Sequence, residues 1–402
     1  MKIVEVSVYP GKAQKHVKTS GVAAYVKNLF IGLPQTKEDT VYILSDKLDG
    51  ATSQYKEDGF MVERLFDRNY KFASQLYRRI CELKPDVVHF QQELALYGVI
   101  HTMYLLQWLL WALRRKHIPT VVTLHHVMDI TQVNTQFARA NGSGAPAWMV
   151  KLAFKTIYRP LCAAAATLIV HEQCFKDILV SQYGVPAAKI YVVPHGVENV
   201  AVQPKAAARK QLGLKPRQRV VLSMGYLAGY KDYNLLVEGF AAYAATDPDA
   251  YLIIGAGKHP KLATDPTYLQ MYYHTQAKAE AMIPEGQYRW VGFIPENEIG
   301  AYYSASDVSV YPYKISMSSS GPMAIAMGYE QPFLGSDVYA AVLPEQVLFT
   351  RTPAALAAKL HDFFTHQRDY QQFSRRLKQE RLWSTVGRST RRVYKEIAHG
   401  TN

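Results

Sequence analysis

The feature that most narrows the fold is an alternation running almost the whole length of the chain. Short apolar runs of strand length, IVEVSV, VYILS, FMVERLF, DVVHF, TVVTL and ATLIV, are separated by amphipathic segments such as residues 21–33 and 72–83. Strands spaced by helices join as right-handed βαβ units, so a parallel sheet is expected. The run IYVVPHGVE closes this first series at residues 190–198, and a Pro- and Lys-rich stretch of linker-like composition follows to about residue 218. The alternation restarts with VVLSMGYL, AYLIIGAG, YRWVGFI and DVSVYPY, with helices expected over residues 233–245, 267–281 and 297–304. The chain's 402 residues also exceed one ordinary core. The expected class is α/β with two doubly wound, Rossmann-like domains over residues 1–198 and 199–380. Residues 381–402 form a basic helix expected to pack back on the first domain. Ligands in such folds sit at the carboxyl ends of the strands, which should face each other across a cleft.

Composition limits the partners. The net charge of +13 is spread over both halves, so it suits nucleic acid, an anionic membrane surface or an anionic substrate equally. The three cysteines Cys81, Cys162 and Cys174 form no Cys-x-x-Cys pair, which argues for free thiols in a reducing compartment and against a zinc site. The start MKIVEVSVYPG has no leader pattern, so a cytoplasmic location is expected. Residues 94–113 run for 20 positions without a charge, about the length of a membrane span. Their Gly98, His101, Thr102 and Gln107, and their place between two strand runs, favour a buried crossover helix. Trp108 and Trp111 followed by Arg114, Arg115 and Lys116 carry the second reading, peripheral contact with the inner face of an anionic membrane.

Four strand-to-loop junctions hold residues fit for a nucleotide diphosphate: Ser20 with Gly21, His125 with His126, Gly225 with Lys231, and residues 318–322. In the last of these, Ser318, Ser319 and Ser320 are candidate helix caps. Gly321 allows close backbone approach, and Pro322 suits the first helical position. A helix start offers free amides and the positive end of the dipole to a phosphate, although a capped helix after a strand is common without one. Lys231 serves equally as a diphosphate partner or as a solvated lysine at a helix entry. Of the two histidines ending TVVTL, one side chain should point into the cleft and the other away. The DPD at 247–249 reads as a turn, the GAG at 255–257 is weak evidence for a nucleotide, and no hydrolase, zincin or P-loop motif is present.

The order of these motifs, over roughly residues 1–345, resembles that of retaining glycosyltransferases of family 4, which have the GT-B fold. SGVAAYV is similar to the amino-terminal glycine loop, and DVVHFQQELALYG to the QHE-type segment of a bacterial subgroup. TVVTLHH, IYVVPHGVE, LSMGYLAGYKDYNLLVEGF, IIGAGKHP and WVGFIPENEIGAYYSASDVSVYPY follow in family order, and SSSGPMAIAMG stands where that subgroup has its SSG-type segment. The resemblance implies transfer of a sugar from a UDP- or GDP-sugar with retention, without a required metal or other cofactor. It implies catalytic roles for His125, at the donor sugar, and Lys231, at the diphosphate. It assigns donor contacts to Gly21, Gly225, the backbone near Phe293, and Ser319, Ser320, Gly321, Pro322 and Met323. The chain departs from the pattern where many members carry a Glu-x7-Glu pair, whose places hold Met317 and Ile325. Tyr226 stands at a usual arginine, Ser20 replaces a second glycine, and Glu330 lies near the missing ribose carboxylate.

The implied function is a hexosyltransferase, with mannose or glucose moving to a glycan or lipid-linked acceptor. The alternative is a catalytically silent scaffold subunit of a glycosylation complex, motivated by Met317 and Ile325. Nucleic acid is not expected as a partner, since charge alone supports it.

Overall fold

The computed structural model describes residues 1–12, 21–48, 50–94, 96–98, 102–140, 144–260, 262–315 and 320–399. The chain divides into two compact units, residues 1–196 with 383–402, and residues 197–382.

The first unit opens with β1 (Lys2–Val6), α1 (Gly21–Gly32), β2 (Thr40–Asp46), β3 (Gln54–Glu57) and β4 (Phe60–Phe66). It continues with α2 (Phe72–Leu83), β5 (Val87–Gln92), α3 (Thr102–Arg115), β6 (Thr120–Leu124) and α4 (Thr135–Ala140). Then come α5 (Ala147–Ala164), β7 (Thr167–Val170), α6 (Gln173–Tyr183) and β8 (Ile190–Val192). Its eight strands lie in the order β3-β4-β2-β1-β5-β6-β7-β8, parallel except for the edge pair β3 and β4. Every residue of β5, β6 and β7 is buried, as helices on both faces require, including the polar His89, Gln91 and Gln92 of β5 beside its apolar positions.

The second unit contains α7 (Lys205–Gln211), β9 (Arg219–Tyr226), α8 (Tyr233–Ala244), β10 (Ala250–Gly257), α9 (Pro266–Met282) and β11 (Tyr288–Trp290). After these come α10 (Glu296–Ala305), β12 (Val308–Tyr311), α11 (Gly321–Gly328), β13 (Phe333–Ser336), β14 (Leu348–Phe349), α12 (Pro353–Thr365) and α13 (Gln367–Arg381). Its sheet is wholly parallel, in the order β11-β10-β9-β12-β13-β14. The last helix, α14 (Trp383–His399), belongs to the first unit and packs on α1. Two glycines allow that approach: a Cβ on Gly32 would lie 2.4 Å from the Trp383 carbonyl oxygen, and one on Gly387 would lie 2.3 Å from that of Gly32.

Three local features differ from the sequence expectations. The stretch with linker-like composition contains α7, fixed to the second unit by buried Arg209. That guanidinium donates to the Ala305 carbonyl at 3.0 Å and to Asp307 at 2.8 Å, while Asp307 also accepts from the Val220 amide at 2.7 Å. The apolar segment from residue 94 does not form one helix, because α3 starts at Thr102. Gly98, at φ +136°, lies where a Cβ would come 2.7 Å from the Arg68 carbonyl oxygen. Residues 127–148, whose polar, Gly- and Pro-rich composition reads as a loop able to order around an acceptor, carry the short α4. Among the described residues, no helix is long and apolar enough to cross a membrane.

Candidate active site

Both sheets contain a point where chain progression reverses, between β1 and β5 in the first and between β9 and β12 in the second. A crevice opens at the strand carboxyl ends at such a point, and this is where open α/β sheets hold ligands.

In the second unit, Gly225 precedes the last residue of β9, at φ +129°. A single turn, Gly229–Lys231, follows and leads into α8. Lys231 is 6% exposed, and its Nζ lies 2.4 Å from where a Cβ on Gly225 would stand. Pro322 Cγ is 3.2 Å from the same point, so the ammonium, the Gly225 backbone and the first turn of α11 meet in one place. The ammonium lies 5.8 Å from the centre of the Tyr313 ring, and among the described residues no carboxylate is within ion-pair distance of it. The adjacent Asp232 is held by Lys314 at 3.6 Å and Arg351 at 3.2 Å. Burial pushes the Lys231 pKa down to about 8. An interior cation without a counter-ion is costly, and an incoming anion would relieve that cost.

The start of α11 is built to stay in place. Ser320 caps it, its Oγ accepting from the Met323 amide at 3.3 Å. The hydroxyls of Tyr303 and Tyr311 both donate to the Pro322 carbonyl at 2.9 Å. Among the described residues a Cβ on Gly321 would meet nothing within 4 Å, and Gly321 is exposed while Met323 is buried behind it. Ser318, Ser319 and Met317 lie outside the described residues. Beside this cradle, Phe293 is 62% exposed, and its ring stacks on Tyr226 at 6.1 Å and 15°. An aromatic shelf therefore occupies the place where the resemblance has an arginine. Ile325 is exposed on α11, whereas Glu330 is engaged by Lys378 at 3.2 Å and Arg375 at 3.6 Å, so its carboxylate has partners other than a ribose.

In the first unit, Gly21 is the exposed first residue of α1, and a Cβ there would meet nothing within 4 Å. His125 follows β6 and is buried, with both ring nitrogens engaged internally. Its Nε2 is 2.8 Å from Gln91 Oε1, and its Nδ1 is 3.2 Å from His171 Nε2. Burial, and after it the neighbouring His171, holds its pKa well below the usual histidine range. The ring of His126 turns instead toward Phe175. The structure thus brings Gly225, Lys231 and α11 together in one unit, and places Gly21 and His125 in the other.

Asp247 of the DPD sequence serves a turn, accepting from Arg219 at 2.6 Å, from the Tyr243 hydroxyl and from the Asp249 amide at 3.0 Å. Among the described residues, no group of three or more His, Cys, Asp or Glu side chains is arranged to hold a metal ion. Sequence reasoning missed the two tyrosines on Pro322 and the buried acid Glu5. The one available signal for Glu5 was an acidic residue inside the apolar strand run IVEV.

Two Rossmann-like α/β units, each with its switch point at the residues just described, define a GT-B architecture. Residues 19–199 match the family described as Glycosyltransferase Family 4, and residues 204–379 match Glycosyl transferases group 1. The chain belongs to the family 4 type of nucleotide-sugar-dependent glycosyltransferases. It is 24% identical over 311 residues to the alpha-monoglucosyldiacylglycerol synthase of Acholeplasma laidlawii, covering 72% of this chain and 70% of that one. It is 28% identical over 140 residues to the mannosylfructose-phosphate synthase of Agrobacterium fabrum, where the match covers 33% of this chain and only 30% of that protein's length. Among solved structures, the sucrose-phosphate synthase of Thermosynechococcus elongatus superposes with a TM-score of 0.69 at 18% identity, over 99% of both chains. The Anabaena protein HepE in complex with UDP does so with 0.67 at 14%, over 98% of this chain and 100% of that one.

Proposed function

We propose that the chain is a retaining hexosyltransferase that moves glucose or mannose from a nucleoside diphosphate donor, with UDP favoured over GDP, to a glycan or lipid-linked acceptor. The observation that carries this reading is Lys231, a buried cation with no counter-ion within ion-pair distance among the described residues, set against the start of α11 and the bare backbone of Gly225. Negative charge grows on the donor's diphosphate as the sugar leaves, and a preorganised cation and helix start stabilise that charge without reorganising. In this scheme the amides of Ser320 and Gly321 at the start of α11 hold the distal phosphate, Gly21 contacts the donor, and the backbone at Phe293 meets the base. His125 contacts the sugar. The leaving phosphate takes the acceptor proton on the same face, which gives retention, and Lys231 rather than a metal ion meets the phosphate charge.

UDP is favoured because HepE is solved with UDP and with UDP-glucose. Calorimetry and donor hydrolysis with UDP-glucose, UDP-galactose and GDP-mannose test the reading. Binding and slow release of UDP are expected; no binding and no hydrolysis across the set would leave the scaffold alternative standing.

A membrane-borne acceptor is supported by one face of the first unit, where α3 packs on α5 through Gln107 Nε2, which donates to the Ile157 carbonyl at 3.0 Å. Trp108, Trp111, Trp148 and Leu152 are exposed there, at 50%, 40%, 65% and 52%. Exposed Arg114, Arg115, Lys116 and Arg159 share the two helices or directly follow them. Such a face suits the inner surface of an anionic bilayer. Arg115→Glu with Lys116→Glu should reduce sedimentation with phosphatidylglycerol vesicles about tenfold or more, given about 1 kcal/mol per basic residue. Unchanged sedimentation would remove the membrane from the account.

A further inference from the structure

A run of buried polar side chains crosses the first sheet beneath the carboxyl ends of its strands, and donor binding does not account for it. Glu5 of β1 is fully buried, with its Oε1 2.8 Å from the side-chain amide of Gln91 on β5. The other end of that amide is 2.8 Å from His125 Nε2, His125 Nδ1 is 3.2 Å from His171 Nε2, and His171 Nδ1 is 3.1 Å from the Val193 carbonyl oxygen.

These four contacts, all at hydrogen-bond distance, need four hydrogens. The Val193 carbonyl supplies none. Gln91 supplies one whichever way its amide is turned, because one end donates and the other accepts. Three must therefore come from Glu5, His125 and His171, and two neutral imidazoles supply only two. The third is an acid proton on Glu5 or a second proton on an imidazole. In either arrangement the run holds one shared proton and no net charge.

We propose that Glu5 is a positioning residue for His125: with the Gln91 amide turned so that its oxygen accepts from Glu5 and its nitrogen donates to His125 Nε2, Glu5 keeps the shared proton and fixes the His125 imidazole in the tautomer that donates from Nδ1 to His171. Burial acts in the same direction on both groups, raising the Glu5 pKa and lowering that of His125, so each is driven to its neutral form. The other titratable groups around the run have their own places. His89 Nδ1 is 3.1 Å from Glu5 Oε2 and 2.6 Å from the Tyr394 hydroxyl, while its Nε2 is 2.7 Å from Thr123 Oγ1 and 3.3 Å from the Gln91 side-chain amide. Tyr25 meets the His125 ring edge-on at 4.7 Å, His195 lies 5.5 Å from the His171 ring, and burial raises the pKa of Tyr97. A carboxylic acid kept neutral in this way donates a hydrogen bond and adds no charge beside an anionic substrate.

The role in catalysis rests on the glycosyltransferase reading; the proton count does not. Long-range 1H–15N correlation of the imidazoles in the full chain reads the tautomers, with His125 assigned by its loss in His125→Gln. Neutral His125 carrying Nδ1–H is expected at pH 7 in the wild type and in Glu5→Gln, whose amide supplies the third hydrogen without titrating. Glu5→Leu should change the His125 signal and lower donor turnover about tenfold or more, because a wrongly protonated imidazole is poorly placed. Glu5→Gln should stay within about threefold of wild type. An imidazolium at His125 in the wild type at pH 7 overturns the proposal. So does a loss beyond tenfold in Glu5→Gln at unchanged Tm, or a Glu5→Leu protein with wild-type spectrum and turnover. If Glu5→Leu fails to fold, the wild-type and Glu5→Gln spectra still decide. The expected tautomer together with no turnover of any donor would leave the proton count standing and remove the enzymatic reading.

Discussion

Lys231→Ala should lower turnover about a hundredfold or more, the scale seen when one donor to a developing oxyanion is removed. Tm should stay level or rise, because the variant discards a buried cation with no counter-ion within ion-pair distance among the described residues. The pH dependence has a definite sign. The folded pKa of about 8 lies below the unfolded value, so the charged form costs stability at neutral pH, and that cost fades as the pH rises through 8 toward the unfolded value. Nucleotide affinity should move the other way, weakening as the free ammonium is lost above about pH 8. Equal turnover in Lys231→Ala would remove the residue from the chemistry.

Gly225→Ala should be nearly as damaging, for two separable reasons. The φ of +129° is one that a residue with a Cβ rarely adopts, a strain worth about 1–3 kcal/mol. The added carbon would also stand 2.4 Å from Lys231 Nζ and 3.2 Å from Pro322 Cγ, so the ammonium must leave its place. Tm should fall, and turnover should fall further than the remaining folded fraction explains. Gly21→Ala is the counterpart, since its Cβ would meet nothing within 4 Å among the described residues and folding should be little changed. Any activity it loses therefore reports a ligand coming close. Full activity in Gly225→Ala would contradict the cradle.

The α/β class was legible because buried parallel strands leave short runs dominated by Val, Leu and Ile, as in DVVHF and TVVTL, between helices with clear stripes. The α2 helix was read at both ends, with an apolar stripe from Phe72 to Leu83 and a left-handed turn at Lys84. β3 was not legible, since QYKE is a short edge strand with little apolar content. Nor was α7, whose place depends on Arg209 finding Asp307 some hundred residues away, a pairing no local pattern encodes. The same reason hid part of the site. Lys231 sits at a helix entry where solvation and ligand binding read alike, and only burial without a counter-ion separates them. Glu5 reads as the polar position of a strand, and the sheet order that places it beside β5 is not local information.

The central claim, that Lys231 meets the donor's diphosphate, is tested most directly by the protons taken up when UDP binds. Calorimetric titrations at pH 8.5 in buffers of different ionisation enthalpy give that number. With a free pKa of about 8 and a bound value raised by the diphosphate, the wild type should take up about 0.7 proton more than Lys231→Met. Equal uptake by the two proteins, with UDP bound by both, would contradict the account.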